Sequence, residues 1–305
     1  MIALIAGTGA LPAILADALV AQGNPPVICE MAGFPPNVRP GLQHLNFRIE
    51  TLGTLLQSLH RRGVTRICLA GAVRRPVINP DLIDAATRPL IAALIAAMAK
   101  GDDGTLRGIM ALLEAAGFAL VGADQIVPEL LPLAKVYTRI SPTAMAQHDV
   151  RIGLAEVARM GQSDIGQACV IVNGLVKAHE DAEGTDVMLR SLCAPNVRAV
   201  MSSDPIKWVF EQVVGLLSAS PAPLPNASGG VLVKAPKPGQ DRRADLPVIG
   251  PATAMLAAEA GLAGIVIAAG GVMVIDLPQV VEILDGQGLF LWVFPSSAAD
   301  PGPTA

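Results

Sequence analysis

Aromatic residues are nearly missing from this 305-residue chain, which has one Tyr, two Trp and six Phe. Binding nucleic acid by stacking bases on aromatic side chains is therefore not expected. Charge is sparse as well: Asp, Glu, Lys and Arg make up 16% of residues, the net charge is -4, and no basic stripe stands out. No nucleic-acid partner is expected from such a balance. There are four cysteines, Cys29, Cys68, Cys169 and Cys193, and no two are spaced as a short metal-binding pair. The first three sit in apolar runs, which predicts buried, reduced thiols rather than a disulfide frame or a zinc site. No uninterrupted apolar run reaches the roughly 20 residues of a membrane span. The most apolar stretch, 261–275, is broken by Gly264, Gly270 and Gly271. The opening residues Met1 to Gly7 lack the basic n-region of a secretion signal, so the expected location is cytoplasmic. His44, His60, His148 and His179 show no spacing that suits a metal or a nucleophile pair. Of these, only His179 stands beside an acidic cluster. There is neither a Gly-x-Ser-x-Gly elbow nor a Gly-Lys-Ser/Thr phosphate loop.

The chain does have apolar side chains, 52% of its residues, mostly Ala, Leu, Val and Ile. Its length suggests two domains. In the first part strands alternate with amphipathic helices. Strands are predicted at 2–6, 27–31, 45–49, 66–70 and 118–121, and helices at 11–21, 52–60, 84–99 and 103–116. That rhythm implies a parallel sheet covered on both faces. A second unit begins near Ser141-Pro142. It has a helix at 144–160, a hairpin of 168–172 and 175–178 around Asn173-Gly174, and a helix at 184–192. Strands follow at 230–233, 264–268, 273–275 and 289–293, with helices at 252–260 and 278–284. The Ser-, Pro- and Ala-rich stretch 218–229 reads as a surface loop, and 296–305 as a flexible tail. The expected division is an N-terminal domain, 1–134, and a C-terminal domain, 138–295, with the tail beyond.

Five segments could carry chemistry. The run from Val233 to Pro247 packs two lysines, two arginines, two aspartates and an amide into one proline-stiffened stretch. Its cations suit phosphate, and Asp245 suits a metal or a water. A solvated charged turn has the same composition. Gly7-Thr8-Gly9-Ala10 lies between the first strand and helix, where doubly wound sheets seat phosphates on backbone amides. Pro12 occupies the place of the third glycine, so the pattern also fits a plain tight turn. Ala70-Gly71 leaves the fourth strand, followed by Arg74 and Arg75, which suit phosphate or carboxylate. Before the fourth helix, Asp103 suits a cap and Asp102 a metal contact. The acidic run Glu180 to Asp186, with Asp164 upstream, offers oxygen ligands for Mg²⁺, or a helix cap at Thr185 or Asp186.

Read in order, LIAGTGALP (4–12), AGAVRRP (70–76), KGDDGTLR (100–107), DIGQ (164–167), EGTDVMLR (183–190) and KAPKPGQDRRADLPVIG (234–250) resemble the UDP-2,3-diacylglucosamine pyrophosphatases of the LpxI type. The stretch from about 196 to 230 matches poorly. The resemblance implies an α/β protein with two domains, a Rossmann-like parallel sheet first and a mixed α/β domain second, closing around the ligand. It implies hydrolysis of UDP-2,3-diacylglucosamine to UMP and 2,3-diacylglucosamine 1-phosphate, with Mg²⁺ or another divalent cation such as Mn²⁺. A homodimer and transient contact with the inner-membrane surface are implied too. Asp245 falls on the family's essential aspartate and is the expected catalytic residue, either as metal ligand or as general base. Gly9, Ala10, Ala70, Gly71, Gln167, Thr185, Lys234, Lys237 and Arg243 are the expected substrate contacts. The acyl chains need an apolar groove, for which the Ala-rich helix 89–99 is a candidate, although ordinary core packing explains that helix equally.

Two rival classes remain open. A nucleotide-dependent oxidoreductase could use the Gly7-Thr8-Gly9 turn, with Glu30 about 20 residues on for the ribose. That reading leaves the charged segment 234–245 without a role. A non-catalytic binder of nucleotide or lipid would hold the UDP-sugar lipid and release no UMP.

Overall fold

A computed structural model describes residues 1–74, 77–99, 101–163, 165–193 and 227–295, and only the backbone of Asp102 and Asp103. Arg75, Lys100, Asp164, most of the poorly matching stretch and the expected tail therefore lie outside the described residues.

By their contacts the residues form two compact units. The first comprises Met1–Pro132, Pro238–Val248 and Gly270–Ile275, and the second comprises Leu133–Lys237, Ile249–Ala269 and Asp276–Ala305. The catalytic-segment candidate, C-terminal in sequence, thus packs mostly with the first unit.

The first unit is built on five strands: β1 (Ile2–Ala6), β2 (Val27–Met31), β3 (Gln43–Phe47), β4 (Arg66–Ala70) and β5 (Ala119–Leu120). Their order is β3-β2-β1-β4-β5, and every pair is parallel. Strand side chains alternate between faces, and each face has its own core. Ala3, Val27, Cys29 and Ile67 pack with Leu55 and Leu59 of α2 (Leu52–Arg61), Leu94 of α3 (Ile91–Met98) and Leu113 of α4 (Gly101–Ala115). On the opposite face Ile2, Leu4, Ile28 and Cys68 pack with Leu15 and Leu19 of α1 (Leu11–Ala21) and with Ile126 of α5 (Ala123–Ile126). Leu246 and Met273 join this second core from far along the chain. Each large aliphatic side chain buried this way contributes about 1.5–3 kcal/mol.

Some boundaries differ from expectation, for local reasons. β3 ends at Phe47 rather than running through Ile49, because the Arg48 N–H donates to Thr51 Oγ1 at 3.0 Å and starts a 3₁₀ turn. The helix expected over 84–99 begins only at Ile91. Asp84 accepts the Thr87 N–H at 2.6 Å, and Pro89 opens a separate 3₁₀ turn. This stretch is a strap held on the start of α2. The Asn79 N–H donates to Glu50 at 2.8 Å, and Thr87 Oγ1 accepts the Gly53 N–H at 2.8 Å. α4 starts at Gly101, so Asp103 lies within its first turn and not at the cap.

The second unit holds a six-stranded mixed sheet of β6 (Lys135–Val136), β7 (Ala168–Val172), β8 (Leu175–His179), β9 (Val231–Lys234), β11 (Gly264–Ala268) and β13 (Phe290–Phe294). The order is β6-β13-β11-β9-β7-β8. β9, β11 and β13 run parallel, and β6, β7 and β8 are antiparallel to their neighbours. α6 (Ala144–Gln162) covers one face through Val150, Val157 and Met160. Asp149 of α6 fixes the hairpin. Its carboxylate accepts the N–H groups of Asn173 and Gly174, at 3.0 and 2.7 Å, where both residues take positive φ. α7 (Thr185–Leu192), α8 (Pro251–Glu259) and α9 (Leu277–Gln287) pack in series. β12 (Met273–Val274), which lies in the first unit, and β10 (Val248–Ile249), which begins there, make a short ladder of their own.

Candidate active site

In the parallel sheet the chain reverses direction of growth between β1 and β4. Ligands of open α/β sheets sit outside the carboxyl ends of the strands at such a point. Here the turns after β1 and β4 are bound to each other. The Gly7 N–H donates to Ala70 O at 2.8 Å, the Thr8 N–H to Ala72 O at 3.0 Å, and the Ala72 N–H to Thr8 O at 2.9 Å. There is no space for a side chain at Gly71 in this crossing. Gly71 has φ +86°, and a Cβ there would stand 2.6 Å from Thr8 O. Gly9, with φ +99°, then turns the chain into α1, whose first amides have no carbonyl partner within the helix. Gly9, Ala10 and Gly71 line a cleft of about 310 Å³. Ala70 stands one step behind, buried, holding Gly7.

The segment Arg242 to Leu246, which includes Asp245, also lines this cleft. Several contacts pin this segment within the first unit. Arg107 of α4 donates to Gly239 O at 2.9 Å, and Arg242 donates to Gly270 O. Leu246 is buried in the core beneath. Arg243 grips Asp241 through Nε at 3.0 Å and Nη2 at 2.7 Å, and reaches Glu114 of α4 at 2.6 Å. The Arg243 guanidinium beside it holds the Asp241 carboxyl below its usual range, against the opposing effect of burial. Hydrogen bonds to Asp241 and then to Glu114 raise Arg243 in turn. Asp245 itself is half-buried. Among the described residues its carboxylate takes one side-chain hydrogen bond, from Gln240 Nε2 at 2.6 Å.

Gln167, Thr185 and Lys234 come together in the second unit, around Glu180. This carboxylate is 5% exposed. It accepts the Gln167 N–H at 2.9 Å and the Thr185 hydroxyl at 2.6 Å, and Lys234 Nζ stands 3.5 Å away. Lys234 also donates to Thr185. The sequence presents Glu180 only as one acid among several, and the structure makes it the centre of a buried polar cluster. Its signal was its place directly after a strand. Thr185 is the first residue of α7, with Gly184 at the cap position, and Asp186 accepts the Thr253 hydroxyl, so neither acts as the expected cap. Lys237 is half-buried, at the end of the second unit's first segment.

The remaining candidates fall elsewhere. His179 pairs with Glu156, which Arg159 also grips at 2.6 Å. Chiefly through that Arg159 contact, the Glu156 carboxyl is held down to about 2. Glu30 lies 3.8 Å from His44. Burial pushes the Cys29, Cys68 and Cys169 thiols up to about 12, which suits packing and not nucleophilic attack. Among the described residues no three His, Cys, Asp or Glu side chains form a group able to hold a metal ion. A ready-made protein cage is therefore not what the described residues provide. A Mg²⁺ held by a single carboxylate, water and substrate phosphates is a different case, and Asp245 on the cleft wall fits it. No helix among the described residues is long and apolar enough to cross a membrane.

Comparison with known proteins matches both parts of the chain to one family. Residues 1–130 match the LpxI N-terminal domain and residues 134–292 the LpxI C-terminal domain. The chain belongs to the LpxI family. It is 35% identical over 289 residues to the UDP-2,3-diacylglucosamine pyrophosphatase LpxI of Caulobacter vibrioides, spanning 94% of this chain and 95% of that one. The two LpxI domain matches meet near residue 132, where the first long segment of the first unit ends. Both residue clusters described above fall inside the matched ranges.

Proposed function

We propose that this LpxI-family chain is a hydrolase. It cleaves the pyrophosphate bond of UDP-2,3-diacylglucosamine, giving UMP and 2,3-diacylglucosamine 1-phosphate (lipid X) for lipid A biosynthesis. The observation that carries this reading is a nearly full-length match to a relative of that activity. The placement of Asp245 in the cleft at the β1/β4 reversal supports it.

Pyrophosphate hydrolysis needs a positioned water and neutralised phosphoryl oxygens more than a covalent nucleophile. Asp245 orients the water, accepting its proton as it attacks the phosphorus nearer the sugar, and the bond from that phosphorus to the bridging oxygen breaks. The water oxygen then ends in the lipid product, and UMP leaves. The backbone amides of Gly9 and Ala10, which lead into α1, receive phosphoryl oxygens. Gly71 lets the ligand approach the backbone, with Ala70 behind it. Arg243 adds positive charge on the cleft wall, and Gln167, Thr185, Lys234 and Lys237 are further substrate contacts in this proposal. A bound Mg²⁺ or Mn²⁺, held by Asp245 and the substrate phosphates, would polarise the phosphoryl group.

The test is UMP release from UDP-2,3-diacylglucosamine with Mg²⁺, with EDTA, and with Asp245→Ala. Release is expected from the intact protein and is lost with EDTA. In the variant turnover falls by orders of magnitude while substrate still binds. Tight lipid binding without any UMP release by the intact protein refutes the hydrolase. A Rossmann-like first domain, closure of the two domains on the lipid, a homodimer and transient inner-membrane contact complete the proposal. Small-angle scattering of Asp245→Ala reads two of these. Twice the 31.4 kDa chain mass and a smaller radius of gyration with substrate are expected, and a monomer of unchanged size contradicts both.

A further inference from the structure

The loop that carries Asp245 is held by contacts other than the Gln240–Asp245 hydrogen bond. Core packing is supplied nearby by Leu246, and the loop is fastened by Arg107, Arg242 and Arg243. Gln240 itself is half-buried, five residues before Asp245, on the same pinned loop. Its amide nitrogen lies 2.6 Å from Asp245 Oδ2. A carboxylate can only accept, so the amide group facing it must be the NH₂. The backbone ties the same stretch together, with the Asp245 N–H donating to Asp241 O at 3.3 Å. The other carboxylate on the loop, Asp241, is bound to Arg243. Of the two aspartates, one is therefore neutralised by a fixed cation and the other is met by a neutral donor.

That difference has a chemical consequence. A guanidinium gripping Asp245 as Arg243 grips Asp241 would take up both of its oxygens. The Gln240 amide fixes the direction of one oxygen and leaves the other open. We infer that Gln240 is a positioning residue for Asp245, holding Oδ2 so that the other oxygen, Oδ1, meets the reacting water. This inference rests on the hydrolase reading above. The step it serves is the one already written, with a water proton passing to the carboxylate as the phosphorus–oxygen bond forms. Gln240 gains and loses no proton.

The experiment measures kcat and KM for UMP release from UDP-2,3-diacylglucosamine with Mg²⁺, together with thermal midpoints. The proteins are the intact chain, Asp245→Ala, Gln240→Ala and Gln240→Glu. For Gln240→Ala, kcat is expected to fall about 10- to 100-fold, the range for a hydrogen bond to a charged group, with KM nearly unchanged. The thermal midpoint should stay that of the intact chain. Gln240→Glu keeps the shape but cannot donate when ionised, and it sets a second carboxylate against Asp245. It is expected to lose at least as much kcat as Gln240→Ala. Full kcat in either variant overturns the inference, as does a loss of kcat accompanied by an equal loss of thermal stability. An intact chain that releases no UMP refutes the hydrolase reading itself. An active intact chain, an inactive Asp245→Ala and a fully active Gln240→Ala refute only the role given to Gln240.

Discussion

Gly71 concentrates several demands in one residue. Its φ of +86° lies in the region that side chains resist, and a Cβ would meet the Thr8 carbonyl at 2.6 Å. The turn it forms is the one that meets the turn after β1 at the cleft. Gly71→Ala should therefore cost about 1–3 kcal/mol in backbone strain alone, read as a lower denaturant midpoint, and should reduce UMP release further by separating the two turns. An unchanged midpoint would mean that the crossing relaxes freely. At this scale the sequence singled out the glycines and Asp245 as candidates, because turn chemistry and charged loops are written locally. It presented Gln240 only as an amide in a charged run and Glu180 only as one acid among several. Each takes its meaning from a partner's direction, and a string of letters does not record direction.

Among the elements, the strap over 77–90 shows what local reading misses. Helical periodicity predicts one helix from residue 84, yet the chain spends that stretch bridging to α2. The decisive group is Glu50, 1% exposed, which accepts the Asn79 N–H from 29 residues away. Burial pulls its carboxyl up, but the hydrogen bonds from Asn79 and Arg48 outweigh this and hold it below its ordinary 4.5. A lowered carboxyl supports the fold fully above pH 4.5 and withdraws that support as pH falls through the native value. Asp84 is lowered in the same way, its hydrogen bonds with Thr54 and Thr87 overcoming burial. The protection of the Asn79 amide, measured against its intrinsic exchange rate, should fall on acidification below pH 4.5, before that of the first sheet's strands. Glu50→Gln should cost about 1–3 kcal/mol at neutral pH, as for one buried charged acceptor, and should remove that acid sensitivity. Equal acid response in both proteins would assign it elsewhere. The strands and long helices, by contrast, were plain in the sequence, since their alternation and spacing arise from neighbours along the chain.

For the molecule as a whole, sequence reading separates an N-terminal part from a C-terminal part, and the family matches divide the chain in the same region. Contacts add what linear reading could not supply. Residues 238–248 and 270–275 belong with the first unit, and Leu246 and Met273 help to fill its core. Hydrophobic residues of a strand-like run look alike whichever core receives them, so the assignment depends on topology. The interleaving also bears on how the protein is made. Domains usually fold one after another as they leave the ribosome. Here, a chain synthesised as far as Pro132 has all five strands of its first sheet and still lacks two pieces of that sheet's core. The fragment 1–132 should accordingly bind hydrophobic dyes and melt without cooperativity, whereas a cooperative melt would show that the later pieces are dispensable. The first unit to be translated can only be among the last to be finished, and until then its open core is a natural client for a chaperone.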